Sequence, residues 1–319
     1  MSHDRENCSA LVDGVVRGDK RALARAISLV ESYRPESETL LKVIFAKTGR
    51  AYRVGITGPP GAGKSTLASR IARHYGNRGL KVGIIAVDPT SPFTGGALLG
   101  DRVRMSDVEL DGSVFIRSMA SRGSLGGLSV ATQDAADVLD AAGFDLILLE
   151  TVGVGQSELD VVRAADTVIV VLVPESGDSI QAMKAGLMEI ADLFVMNKSD
   201  RPGADQAATA LRTILSLRPN PHSWTPEVLK TTASESQGID RVCTFIEKHR
   251  EFQSSNGLLE QRRAARLQEK VKELVIRSLH TEFWNNERRE LLEARLPSLC
   301  ERSTSPYEVV EELLRTFPL

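Results

Sequence analysis

The chain has 319 residues, 42% hydrophobic and 26% charged, with a formal net charge of -2; that suffices for one large α/β domain plus an extension, and it gives no overall electrostatic reason to expect nucleic acid. Cys8, Cys243 and Cys300 are far apart with no CxxC spacing, which argues against a disulfide framework or thiolate metal site and for reduced thiols in the cytoplasm. The acidic start Met1 to Asn7 reads as no signal peptide, and the most apolar run, Thr167 to Val173, is far too short to span a bilayer, so no membrane segment is expected.

In chain order, Asp19 reads as the N-cap of an amphipathic helix over Lys20 to Val30, and a second helical piece runs through Leu40 to Ile44. Together they form an N-terminal helical extension, 1–50. From Val54 strands alternate with helices. The expected strands are Val54–Thr57, Val82–Asp88, Val114–Arg117, Leu146–Glu150, Thr167–Val173 and Leu193–Asn197. Near-continuous apolar strands in that alternation predict an α/β fold with a doubly wound, mostly parallel sheet over 51–252. Such sheets bind ligands beyond the carboxyl ends of their strands.

Between the first strand and its helix lie Gly58-Pro59-Pro60-Gly61-Ala62-Gly63-Lys64-Ser65, followed by Thr66. The pattern is G-x-x-x-x-G-K-[ST], a nucleoside triphosphate loop. Its glycines turn backbone N–H groups inward as an anion nest at a helix N-terminus. Lys64 is expected on the β- and γ-phosphates and Ser65 on Mg²⁺. Asp88 ends the next strand, and Asp101 follows in Gly100 to Met105. Both are candidate metal acids, although Asp101 reads almost equally well as a helix N-cap. The run Ser121 to Gly127 matches no phosphate motif and is expected to be a connector. The strand of Leu146 to Glu150 ends in an acid followed three residues later by Gly153. Glu150 suits a magnesium-bound water, and the Gly153 N–H suits the γ-phosphate. The candidate catalytic residues are thus Lys64, Asp101, Glu150 and Gly153, and the candidate metal ligands are Ser65, Asp88, Asp101 and Glu150.

After the next strand, the loop Pro174 to Lys184 falls at the nucleotide edge. Asn197-Lys198-Ser199-Asp200 matches N-K-x-D at a strand end. Its aspartate can accept from both N1–H and the 2-amino group of guanine, which adenine cannot supply. Thr232 and Ala233 would then lie on the loop whose backbone meets the guanine O6, with Ala233 closest. Beyond about residue 250 the strand pattern stops. Gln261 to Leu279 is charged, with Leu267, Val271, Leu274 and Ser278 at helical spacing, and Pro297 and Pro306 punctuate two more helical stretches.

These residues together resemble the MeaB/ArgK-like GTPases, the methylmalonic aciduria type A family within the SIMIBI class of P-loop proteins. The resemblance rests on Gly18 to Ala26, Gly58 to Ser65, Val87 to Pro92, Gly100 to Met105, Ile116 to Met119 and above all Glu150-Thr151-Val152-Gly153-Val154-Gly155-Gln156-Ser157. It implies a homodimeric GTP/GDP- and Mg²⁺-dependent chaperone of an adenosylcobalamin-dependent acyl-CoA mutase, foremost methylmalonyl-CoA mutase. Such a protein gates cofactor loading and protects or reactivates the mutase. It further implies a mobile switch at Gly177 to Lys184 and a C-terminal helical dimerisation arm over 253–319. Three alternatives remain at this point, one of them a catalytically idle scaffold that binds nucleotide and pairs mutase subunits. A nickel-delivery GTPase of the same class predicts a histidine- or cysteine-rich tract, which five scattered histidines and three isolated cysteines do not provide. A P-loop kinase would leave the N-K-x-D match a coincidence.

Overall fold

The computed structural model describes residues 2–88, 114–120, 130–151, 163–174, 186–216 and 224–317. Seven parallel strands form one sheet: β1 (Tyr52–Thr57), β2 (Val82–Asp88), β3 (Val114–Ala120), β4 (Leu146–Thr151), β5 (Thr167–Leu172), β6 (Leu193–Met196) and β7 (Glu227–Lys230). Their order is β3-β2-β4-β1-β5-β6-β7, so the chain winds outward both ways from a central β1. This is the doubly wound α/β sheet that the alternation predicts.

Period-two alternation divides the core between two faces. Ile147 and Leu149 join one apolar cluster, and Leu146 and Leu148 the other. The first cluster is covered by α1 (Ser2–Val16), α2 (Lys20–Glu31), α3 (Pro35–Ile44), α5 (Val130–Ala141) and α7 (Ala204–Ser216). The second is covered by α4 (Lys64–Gly76) and α8 (Ile239–Ser255). A short α6 (Leu187–Ile190) precedes β6. The Asp19 carboxylate accepts the Ala22 N–H at 2.8 Å, the expected cap of α2. α1 and β7 add to the elements that the sequence pattern marks. β7 is a four-residue edge strand burying only Val228 and Leu229, too short for a visible alternation.

At the amino rim of the sheet, buried ions tie strand starts together. Asp166 accepts the Arg53 N–H at 2.9 Å and the Arg263 guanidinium at 3.0 Å. Asp192 accepts the Val168 N–H at 2.8 Å and Arg262 at 2.9 Å. Asp140 caps the turn into β1 by accepting the N–H groups of Gly49, Arg50 and Ala51 at 2.8, 3.1 and 3.0 Å. His249 reaches the Thr167 hydroxyl at 2.8 Å and the Asp192 carboxylate at 3.4 Å. Burial pulls its imidazole below its ordinary value, against the opposing pull of Asp192.

Contacts divide the chain into two compact units, Met1–Arg263 and Ala264–Leu319. The second holds most of α9 (Leu258–Phe283) with α10 (Asn286–Cys300) and α11 (Pro306–Arg315). Asn285 caps α10, and Ser305 and Glu308 form a reciprocal capping box on α11. The Arg288 guanidinium stacks on Phe283 and Phe317 at 5.1 Å each. Pro306 begins α11 as expected, but Pro297 lies inside α10. Three residues from the helix end it forfeits a single ladder donor, while its own carbonyl still accepts the Glu301 N–H at 2.9 Å.

Candidate functional site

The loop from β1 to α4 needs backbone that only glycine supplies cheaply. Gly58 has φ +133°, and a Cβ there would strike the Val171 carbonyl oxygen; Gly63 has φ +88°, and a Cβ there would strike the Asn197 side-chain amide. The loop therefore packs directly against the end of β5 and the residue after β6. α4 opens at Lys64, with Leu67 N–H on the Gly63 carbonyl at 3.0 Å. Lys64 is 6% exposed and donates to the carbonyls of Gly58 at 2.8 Å and Pro59 at 3.0 Å. This fold-back fixes the ammonium over the loop concavity. Pro60, Gly61 and Thr66 stay exposed at its mouth, and Ala62 is buried beneath it.

Glu150 is the penultimate residue of β4, beside Ile56 of β1 and Ala86 of β2. Its carboxylate, only 5% exposed, accepts the Ser65 hydroxyl at 2.5 Å. Thr151 Oγ1 donates to Thr57 Oγ1 at 3.0 Å, drawing the ends of β4 and β1 together. Ser65 and Glu150 supply hard oxygen donors at one point, which suits Mg²⁺. That ion is commonly held by one or two side chains with water and substrate phosphate completing an octahedron. Among the described residues no group of three His, Cys, Asp or Glu side chains converges, so a softer, all-protein metal cage is not present there. Asp101 and Gly153 lie outside the described residues, as do Ser121 to Gly127 and Gly177 to Lys184. Asp88 closes β2, with its side chain outside the description.

The third motif follows β6. Asn197, 3% exposed, is a bridge. Its amide nitrogen donates to the Ala62 carbonyl at 2.8 Å, and its oxygen accepts the Thr231 hydroxyl at 3.0 Å and the Ala233 N–H at 3.1 Å. One buried amide thus joins the phosphate loop to the segment after β7. Lys198 has φ +54° and Asp200 is exposed on the turn that follows. The Thr232 hydroxyl meets that of Ser199 at 3.3 Å. Two residues absent from the motifs complete the frame: Thr231, and Arg70 on α4, which donates to the carbonyls of Ala233 at 3.2 Å and Ser234 at 3.0 Å. Neither carries a local sequence signal, because each acts through a partner distant in the chain.

A loop of phosphate-binding pattern, an acid beside its serine and a segment after β7 tied to that loop through Asn197 lie together along the carboxyl rim of β4, β1, β5 and β6. Comparison with known proteins adds the rest. Residues 23–288 match the family model described as methylmalonyl Co-A mutase-associated GTPase MeaB. A Pyrococcus abyssi protein provisionally named a GTPase is 46% identical over 308 residues, covering 96% of this chain and 95% of its own. GTPase ArgK of Escherichia coli is 41% identical, with 77% of this chain and 76% of that one covered. The crystal structure of an LAO/AO transport system kinase superposes with a TM-score of 0.71 at 29% identity, covering 98% of this chain and 97% of that one.

Proposed function

We propose a function that proceeds from family membership: the chain belongs to the methylmalonyl-CoA mutase-associated GTPases of the MeaB family. It is a P-loop GTPase, hydrolysing GTP to GDP and phosphate. In our reading the triphosphate lies along Gly58 to Thr66, with Lys64 on the β- and γ-phosphates. The guanine lies against Asn197, Lys198 and Asp200 and the backbone at Thr232 and Ala233. Ser65 and Glu150 would hold magnesium, with Asp88 and Asp101 as further ligands and the Gly153 N–H on the γ-phosphate. Magnesium held by these residues would supply neutralisation of the charge that develops on the phosphates. The chain's own part is positioning: the Lys64 ammonium is held in place by two loop carbonyls, and the loop by Asn197. Water attacks the γ-phosphate in line.

The cycle serves a partner. We propose that the protein gates adenosylcobalamin loading of an acyl-CoA mutase, foremost methylmalonyl-CoA mutase, and protects or reactivates it. The family description supports this partner. We further propose a cytoplasmic homodimer formed through the C-terminal arm. Leu267, Val271, Val275 and Leu279 form an exposed apolar stripe along α9, which supports that interface. Free thiols at Cys8, Cys243 and Cys300 suit a reducing compartment. Among the described residues no helix is long and apolar enough to cross a membrane.

The observation that carries the reading is the convergence of Ser65 with Glu150 beside the phosphate loop. Phosphate release measured with and without purified methylmalonyl-CoA mutase tests it. Turnover is expected to be slow alone and to rise at least about tenfold with the mutase, because a partner completes such sites. Turnover indifferent to the mutase, with no co-purification, would overturn the chaperone reading. Undiminished GTP affinity in Lys64→Ala by calorimetry would overturn the site.

A further inference from the structure

We propose that Arg70 sets the base specificity of this cleft by orienting the Ser234 amide as the donor to the guanine 6-oxo group. The inference rests on the guanine reading above and names a residue and a donor that it lacks.

The backbone donors of the loop after β7 can be accounted for one by one. Thr231 N–H goes to the Met196 carbonyl at 2.9 Å and Thr232 N–H to Gln237 at 3.1 Å. Ala233 N–H goes to Asn197 Oδ1 at 3.1 Å. Glu235 and Gln237 donate to Thr232 at 3.0 and 3.2 Å, and Ser236 to Ala233 at 3.2 Å. From Thr231 to Gln237, Ser234 N–H alone has no partner among the described residues, and Ser234 is exposed. Ala233, the nearer candidate by sequence, is buried with its donor committed to Asn197.

Arg70 acts on this amide through the peptide plane. The Ala233 carbonyl and the Ser234 N–H share one planar trans unit, so fixing the oxygen fixes the direction of the hydrogen. Arg70 holds that oxygen with Nε at 3.2 Å and the next carbonyl with Nη2 at 3.0 Å. A planar guanidinium makes both bonds from one rigid fork, which an ammonium cannot copy. Arg70 also stands on α4, whose first turn carries Lys64 and Ser65. One helix thereby registers the base loop against the phosphate loop. An N–H so placed donates to the 6-oxo group of guanine but meets the 6-amino group of adenine donor to donor.

Calorimetric dissociation constants for GTP, 6-thioguanosine triphosphate and ATP, in wild type, Arg70→Ala and Arg70→Lys, test this. The thio analogue keeps N1–H and the 2-amino group and weakens only the acceptor at position 6. Wild type should prefer GTP over the thio analogue and strongly over ATP. In Arg70→Ala the preference over ATP should fall at least about tenfold and that over the thio analogue should approach one, with ATP affinity unchanged within about twofold. Arg70→Lys should recover part of the preference. Retained ratios in Arg70→Ala would overturn the proposal. So would equal loss for all three nucleotides, which marks a merely structural arginine, with thermal denaturation confirming the fold. A wild type indifferent to base would overturn the guanine reading itself.

Discussion

Ser65 and Glu150 lie 85 positions apart in the chain and meet hydroxyl to carboxylate at 2.5 Å. The contact joins the first turn of α4 to the end of β4, so the serine that follows the phosphate-loop lysine and the acid share one spot. Glu150→Gln keeps the shape and removes the charge. GTP turnover should fall about 100-fold or more, while GDP affinity changes only a few-fold, since the acid matters most where charge develops on the γ-phosphate. Single-turnover hydrolysis beside GDP titration reads both; unaltered turnover would remove Glu150 from the catalytic set.

Asn197→Ala should hurt more than a surface change. It strands the Ala62 carbonyl, the Thr231 hydroxyl and the Ala233 N–H, and each buried group left unpaired costs about 1–3 kcal/mol. The expected outcome is a lower urea midpoint together with weaker binding of GDP and GTP alike, because both loops lose their common brace. Weaker nucleotide binding at unchanged stability would mean that Asn197 contacts ligand only.

His249 gives the stability a pH dependence. Its folded value lies below the ordinary 6.5, chiefly through burial. Above about 6.5 both states carry a neutral imidazole and the full stability is present. As pH falls below that, the unfolded chain takes up a proton that the folded chain refuses. Stability then drops by up to about 1.4 kcal/mol per pH unit, until the folded imidazole itself protonates. Urea midpoints between pH 7.5 and 5 should show this slope, and His249→Gln should flatten it. An identical slope in the variant would assign the dependence to other groups.

The thiols should separate cleanly. Burial pushes Cys243 up to about 12, whereas Cys300 is exposed. Iodoacetamide at pH 8 should modify Cys300 in the native protein and Cys243 only after unfolding, because the thiolate is the nucleophile. Native labelling of Cys243 would mean that the face of the sheet under α8 opens readily.

Local chemistry was legible in the sequence where it is written at fixed spacing. The phosphate loop needs positive φ at Gly58 and Gly63, and apolar runs of four to seven residues mark six of the seven strands. What stayed hidden acts at long range. Asn197 reads as a base contact within N-K-x-D, yet it is buried and ties two loops. Arg70 sits on an ordinary helical position, and its partners lie more than 160 residues on. α1 carries a weak amphipathic pattern and becomes visible only when Val15 packs into the core with Leu23 and Ile27.

The ions at the amino rim have a mechanical consequence. Arg53, Asp140, Asp166, Asp192 and Arg262 clamp the strands at their starts, where a nucleotide has no access. Among the described residues, the contacts at the carboxyl rim are hydrogen bonds between loops, such as Ser65 to Glu150 and Asn197 to Ala62, and the first of these lies where phosphate and metal are proposed to bind. On this arrangement, nucleotide-linked movement is expected at the carboxyl ends of the strands, away from the ion pairs that anchor their starts. Amide exchange should register nucleotide turnover at the strand tips and leave the strand roots silent.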